Sequence, residues 1–299
     1  MYPAPFEYHV PSTVAEAVSL LGKWQDDAKL ISGSQSLIPM MKLRLVQPKH
    51  VIDLRKVPGL AGVSESDGAL LIGALTTYRA IETSEIARSR LPILPETAGN
   101  IGDAQVRNLG TIGGSLAHAD PSADWPAVTV ALDASVKIAG PRGERTVPVE
   151  QLISGPLSTV LEPSEILVQV RIPLPGARSG SAYEKLPNPA SRFAVVGVAA
   201  AVTLDAKGAV QRARVALTGL GPKVSRAASV EQALQGKPTS PDSLESAASR
   251  AAEGLELRAD GTGSADYKAH LAAVYTERAL RRAVDRAVES QVEKGPARG

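Results

Sequence analysis

Two stretches of small residues carry the chemistry open to this chain. Ser32-Gly33-Ser34-Gln35-Ser36 and Gly110-Thr111-Ile112-Gly113-Gly114-Ser115 both combine glycine with hydroxyl side chains. Glycine lets a backbone approach an anion closely, and exposed amides at a helix start supply positive potential without a lysine. Taken alone, the first stretch is better explained as an ordinary strand–turn–helix junction. The second repeats its chemistry in another part of the chain, and two such loops could clamp a diphosphate. Neither is a G-x-x-x-x-G-K-[ST] or a G-x-G-x-x-G loop, so Walker-type ATP binding and Rossmann NAD binding lack support.

The surrounding pattern supplies elements to hold these loops. Ser12 precedes apolar residues at Val14, Ala17, Val18 and Leu21, the spacing of one helix face. Lys29-Leu30-Ile31 forms a short strand into the first loop, and Leu37–Met41 a helical turn out of it, with Pro39 near its start. Val51–Leu54 is a second buried strand, and Pro58-Gly59 closes this α/β unit. Val63 and Ala69–Gly73 predict a hairpin, Thr76 or Thr77 a helix cap, and Pro95–Ile101 and Trp125–Leu132 helices on either side of the second loop. Strands are expected at 136–139 and 146–149 around Pro141-Arg142-Gly143, and alternation of Ile166, Val168, Val170 and Ile172 marks another. After a linker at 173–180, two Val/Ala-rich strands, 193–204 and 210–217, flank Lys207-Gly208. Helices over 226–234, 244–253 and 265–288 follow, with a polar, frayed tail from Glu289. The division expected is therefore 1–58, 59–176 and 177–288, with a tail at 289–299.

Composition removes several classes of function. Only 3% of the 299 residues are aromatic and the net charge is +2, so neither a base-stacking platform nor a strong phosphate-attracting field is present. No apolar run approaches the roughly 20 residues that span a bilayer, and the N-terminus lacks the pattern of a signal peptide, which points to the cytoplasm. There is no cysteine, so this chain can hold no thiolate-ligated cluster or zinc. His9, His50, His118 and His270 show no i, i+4 pairing, and no metal site is assigned.

The segments Ser32–Leu43 (SGSQSLIPMMKL) and Gln105–Pro126 (QVRNLGTIGGSLAHADPSADWP) resemble the FAD-binding medium subunits of molybdenum hydroxylases. Tyr183-Glu184-Lys185-Leu186 and Tyr267–Arg282 extend the resemblance over nearly the whole chain. It implies an α+β fold: a two-part FAD-binding domain of the vanillyl-alcohol-oxidase type, then a C-terminal antiparallel sheet with flanking helices. It also implies that the first loop (Ser32, Gly33, Ser34, Gln35, Ser36) and Thr111, Gly113, Gly114 and Ser115 bind the pyrophosphate, with Ile31, Leu37, Gly110 and Ala117 also contacting the cofactor. Asp124 would reach a ribose hydroxyl, Phe193 and Leu161 would neighbour the isoalloxazine, and Lys185 would lie near the cofactor. The family's first loop usually runs Ala-Gly-Gly-x-Ser; here Ser32 and Ser34 stand for the alanine and the second glycine.

By resemblance, a large subunit carries molybdopterin, a small subunit carries two [2Fe–2S] clusters, and this chain's FAD passes their electrons to an acceptor within a dimer of heterotrimers. No catalytic acid/base pair is then needed here. Other readings of single residues stand beside these. Asp120 with Asp124 forms a possible carboxylate pair, Asp124 alone a helix cap, and His118 a covalent flavin tether. Arg107 and Lys185 are solvated or phosphate-adjacent charges; Arg278, Arg281 and Arg282 are a solvated face or a partner surface. The rival functions are a stand-alone FAD oxidase and a non-catalytic nucleotide-binding scaffold.

Overall fold

The structure, a computed structural model, describes residues 2–292. It begins with a parallel sheet in which β3 (His50–Asp53) lies between β1 (Glu7–His9) and β2 (Ala28–Ile31). Helix α1 (Val14–Trp24) covers one face, where Ala17, Val18 and Leu21 meet Ile52; α2 (Leu37–Lys42) covers the other, where Met41 meets Ile31 and Val51. A period of two along β3 sends Val51 and Ile52 to opposite faces, so both helices find an apolar bed. The cap of α1 is Thr13, which accepts from the Glu16 amide, and not Ser12 as expected. Ser12 instead donates its amide and hydroxyl to the Glu16 carboxylate, which shifts the capping pair by one residue.

The second sheet is antiparallel, in the order β4 (Val63–Ser66), β5 (Ala69–Gly73), β10 (Ile166–Pro173), β6 (Ser135–Gly140) and β7 (Gly143–Pro148). A small hairpin, β8 (Ile153–Gly155) with β9 (Ser158–Thr159), precedes β10. Helices α3 (Tyr78–Glu82), α4 (Glu85–Arg90), α5 (Ile93–Asn100), α6 (Ala104–Leu109), α7 (Ile112–His118), α8 (Asp124–Ala131) and α9 (Val149–Leu152) pack around this sheet. Thr77 caps α3, while Thr76 is buried and bonds to the Gly62 and Gly73 carbonyls. All eight residues of α8 are buried, because both of its faces have partners.

The third sheet, β11 (Ser179–Pro187), β12 (Ala194–Leu204), β13 (Val210–Thr218) and β14 (Ser225–Arg226), is antiparallel throughout. One face puts Tyr183, Ala199 and Ala216 into the core around α8. The other puts Val196, Val198 and Ala200 against α10 (Ala228–Leu234), α11 (Pro241–Ala248) and α12 (Ala265–Val292). The pairing of Ser225 and Arg226 as β14 delays the start of α10 beyond the expected Arg226. Helix α12 runs past the expected Val288 to Val292; the rest of the predicted tail lies outside the described residues. Arg282, expected on a solvated face, bonds Glu184 at 2.9 Å and Glu96 at 3.0 Å, so it ties α12 to β11 and α5. No described helix is long and apolar enough to cross a membrane.

A buried polar joint links the second and third sheets. The Asp124 carboxylate, at the first turn of α8, accepts from the Tyr183 hydroxyl at 2.6 Å and the Lys185 ammonium at 2.8 Å, both from β11. Lys185 also donates to the Arg192 carbonyl, and its side chain is only 5% exposed, so it is not the solvated charge expected. Removing one partner from a buried ion pair leaves the other charge uncompensated, at a cost of about 3–5 kcal/mol. Asp124→Asn and Lys185→Met are therefore each expected to destabilise the chain by about 3 kcal/mol, and the double variant by clearly less than their sum. Urea titrations of the three variants measure this, and strictly additive costs would remove the pair as the joint between the sheets.

Candidate functional site

The two small-residue loops meet. Loop one leaves β2 and enters α2; loop two leaves α6 and enters α7. A Cβ built on Gly33 would lie 2.2 Å from the Leu109 carbonyl oxygen and 2.8 Å from the Gly110 Cα. Glycine is thus required at 33 for backbone-to-backbone contact between the loops. Across the same seam the Ser32 and Thr111 hydroxyls are 3.3 Å apart, and a Cβ on Gly114 would meet both of them.

Despite similar composition, the loops differ in what they offer. Ser34 sits at φ +63°, the left-handed region that favours glycine, and its hydroxyl donates back to the Ser32 carbonyl. The Gln35 side-chain amide folds back likewise, onto the Gly33 carbonyl. The main-chain amides of Gly33, Ser34, Gln35 and Ser36 donate to no acceptor among the described residues. In loop two most of the amides are already committed: Gly110 to the Val106 carbonyl, Ile112 to the Thr76 carbonyl, Gly113 to Ala74, Gly114 to the Thr111 hydroxyl and Ser115 to the Thr111 carbonyl, which leaves only the Thr111 amide without an acceptor among the described residues. Loop one therefore presents a row of main-chain donors, and loop two chiefly hydroxyls on a fixed turn. The expectation that the second loop repeats the chemistry of the first is corrected to that extent.

Both loops line a cleft of about 620 Å³, within the size range of small-molecule and cofactor sites. Of the residues expected to contact a cofactor, Ser32, Gly33, Ser34, Gln35, Ser36 and Leu37 line it from one side. Gly110, Thr111, Gly114, Ser115 and Ala117 line it from the other, with Asp124 at its floor and Phe193 at its mouth. Phe193 stands at the turn between β11 and β12 and is 42% exposed, an apolar ring left uncovered beside a cavity.

Four expected residues lie elsewhere. Ile31 is buried with Met41 and Val51 beneath loop one. Gly113 faces away from the cleft: a Cβ there would strike the Ala74 Cβ at 2.5 Å and its carbonyl oxygen at 2.7 Å, so its smallness serves the packing of α7 on the end of β5. Leu161 packs on the core around α8. Lys185 is held behind the cleft by Asp124.

Asp124 is neither half of a carboxylate pair nor a side-chain cap. Helix α8 has Ala123 at its cap position, and Asp120 accepts the Ser122 amide in a local turn. Burial pushes the Asp124 carboxyl up from the ordinary carboxylate range, while Lys185 and Tyr183 pull it back. Burial likewise raises the Tyr78 phenol in the cleft wall, with Ser115 beside it opposing the shift. A Cβ on Gly110 would lie 2.6 Å from the Tyr78 ring, so this tyrosine props loop two from below. Arg107 is not solvated: it bonds Glu82 and the carbonyls of Ile101 and Gly102, fixing α6 on the approach to loop two.

Sequence reasoning missed several lining residues. Tyr78, Ile101 and Val106 add apolar wall; Leu157, Glu162 and Glu165 arrive from the β8–β9 hairpin and the turn after it. The Arg145 guanidinium holds the Glu165 carboxyl below its usual range, so this acid is already paired. No local signal marks these positions: Tyr78, Ile101 and Val106 come from α3, the end of α5 and α6, and the other three from the hairpin and turn before β10, all placed at the cleft by tertiary packing. His118 lines the cleft as well, half-buried.

The cleft fits an FAD: it offers the unpaired amides of loop one and the hydroxyls of both loops to a pyrophosphate, and an exposed aromatic ring to an isoalloxazine. Residues 4–175 match the FAD binding domain in molybdopterin dehydrogenase, and residues 181–283 match the CO dehydrogenase flavoprotein C-terminal domain. The chain is 41% identical over 280 residues to the carbon monoxide dehydrogenase medium chain of Hydrogenophaga pseudoflava, covering 94% of this chain and 97% of that one. It is 39% identical to the 6-hydroxypseudooxynicotine dehydrogenase complex subunit alpha of Paenarthrobacter nicotinovorans, covering 96% and 97% of the two chains. Among solved structures, carbon monoxide dehydrogenase from Hydrogenophaga pseudoflava superposes with a TM-score of 0.92 at 43% identity, over 96% of this chain and 99% of that one. Quinoline 2-oxidoreductase from Pseudomonas putida 86 gives 0.90 at 34% identity, over 96% and 99%. Two matched regions that together run from the first strand into the last helix, and relatives of the same length throughout, place this chain in the family of FAD-binding medium subunits of molybdenum hydroxylases.

Proposed function

We propose that this chain carries one FAD in the cleft between its two loops and relays electrons from the [2Fe–2S] clusters of a small partner subunit to an external acceptor. The observation that carries the reading is the row of undonated amides from Gly33 to Ser36, facing the Thr111 and Ser115 side of a cleft of cofactor size. Four main-chain donors left free at one place make a concavity suited to an anion, and a pyrophosphate supplies several acceptors for them. The Thr111 and Ser115 hydroxyls complete that anion site from the opposite wall.

Asp124 takes both of its bonds, from Tyr183 and from Lys185, on Oδ1. Its Oδ2 is assigned to a ribose hydroxyl. Phe193 covers the ring system at the mouth and restricts water there. FAD supplies the redox chemistry, accepting electrons from one carrier and yielding them to another. The protein's tasks are to bind, to orient and to shield, and no residue of this chain is assigned to proton transfer.

Absence of cysteine sets the division of labour, because an iron–sulfur cluster that feeds this flavin must be ligated by another polypeptide. The carbon monoxide dehydrogenase relative is itself named as a medium chain. We assign to this chain the corresponding partners: a large molybdopterin subunit where substrate is hydroxylated, and a small iron–sulfur subunit, in a cytoplasmic dimer of heterotrimers. Native mass spectrometry of the complex purified from its source is expected to show three kinds of subunit with two copies of each. The isolated FAD-loaded chain is expected to hydroxylate nothing; sustained turnover of a substrate by this chain alone would favour the oxidase alternative.

The loop contact yields a second test. Gly33→Ala places a methyl group against the Leu109 carbonyl and is expected to weaken FAD binding at least about tenfold, or 1.4 kcal/mol. Ser34→Gly relieves the left-handed strain and is expected to retain stoichiometric FAD with equal or higher thermal stability. Flavin absorbance per mole of purified protein measures both, and full flavin in Gly33→Ala would refute the tight loop seam.

A further inference from the structure

The four histidines have no helical pairing in the sequence, but the fold pairs two of them. Parallel pairing of β1 with β3 sets Glu7 opposite His50, and the period of two puts His9 on the same face as Glu7. The His9 Nε2 is 3.2 Å from the His50 Nδ1. The Glu7 Oε2 is 3.4 Å from the His50 Nδ1 and 3.8 Å from the His9 Nε2. A single proton can bridge only one edge of this triangle of nitrogen and oxygen atoms. Metal–ligand bonds of roughly 2.0–2.1 Å put tetrahedral ligands about 3.3 Å apart, so the triangle has the size of one coordination face.

The imidazoles are also held in place from behind. The Trp24 ring, at the end of α1, stacks on His50 with centroids 4.1 Å apart and an angle of 11°, and lies 4.2 Å from the His9 centroid. The His9 and His50 side chains are 22% and 15% exposed, whereas Glu7 is 73% exposed, so the open side of the triangle faces water. None of the three residues lines the flavin cleft.

We infer that Glu7, His9 and His50 form a binding site for a divalent transition-metal ion of borderline softness, zinc or copper(II), with solvent completing the coordination. Two imidazoles and one carboxylate are the donor set such ions take, and copper(II) binds more tightly than zinc to a given set of this kind. The bound ion joins β1, which has only three paired residues, to the centre of the N-terminal sheet. Its role is structural: it fixes the start of the chain on the sheet from which loop one emerges.

Trp24 makes the site its own reporter, because the second tryptophan, Trp125, is fully buried in the core around α8. Purified full-length, FAD-loaded chain is titrated with copper(II) while tryptophan emission is recorded, and with zinc by calorimetry. Expected is saturation at one equivalent per chain with displacement of zinc by copper(II). His50→Phe, which keeps an aromatic ring on Trp24, removes the saturable phase, and His270→Ala leaves it unchanged. Glu7→Gln alters only an exposed side chain and is expected to weaken zinc binding at least about tenfold. Absence of saturable binding in the unmodified chain would overturn the site, and so would equal binding in a His9→Gln, His50→Phe double variant. Should His50→Phe fail to fold, unchanged zinc affinity in Glu7→Gln decides against it.

Discussion

The architecture turns on one carboxylate that is out of reach of bulk water. Asp124 begins the helix that both the second and the third sheet bury, and two side chains of the third sheet converge on a single one of its oxygens. A buried pair of this sort is weak evidence of stability in itself, since desolvation offsets much of the attraction. What it fixes is position. An apolar surface such as Val, Ala and Leu against a sheet tolerates sliding, whereas an ammonium and a phenol that must both reach one oxygen do not. The same residue lines the cleft, so the alignment of the C-terminal sheet and the depth of the cleft are set at one point. Phe193, eight residues beyond Lys185 in the hairpin that this joint anchors, is thereby held at the mouth.

Much of this was legible in the sequence, and the parts that were not share a cause. Local signals found the two loops, the strands of the C-terminal hairpin and the long final helix, because glycine content, alternation and helical period are properties of neighbouring residues. The family resemblance, not a local signal, marked Ser34 as standing where a glycine is usual, and the backbone shows that φ is positive there. Local signals erred where a residue's meaning comes from a distant partner. Gly113 looks like Gly114 in the chain, yet one packs on Ala74 and the other borders the cleft. Lys185 looks solvated until a helix 61 residues away supplies its counter-charge. His9 and His50, 41 residues apart, look unrelated until parallel strands set them side by side. Sheet pairing is a long-range property, and no window of periodicity contains it.

The unequal commitment of the two loops has a thermodynamic and kinetic meaning for how the cofactor is acquired. All of the second loop's amides except that of Thr111 are satisfied by the protein itself among the described residues, so that turn is largely in its final form before any ligand arrives. Its ordering entropy belongs to folding and not to binding. The first loop has main-chain donors that only water or a ligand can satisfy, and it includes a serine held in an unfavourable backbone region. Such a segment gains most from an acceptor and has most freedom to give up. One wall of the cleft therefore acts as a template and the other as a clasp. An arriving dinucleotide would settle on the template first and draw the clasp around it, so release would be governed by the opening of a single five-residue turn.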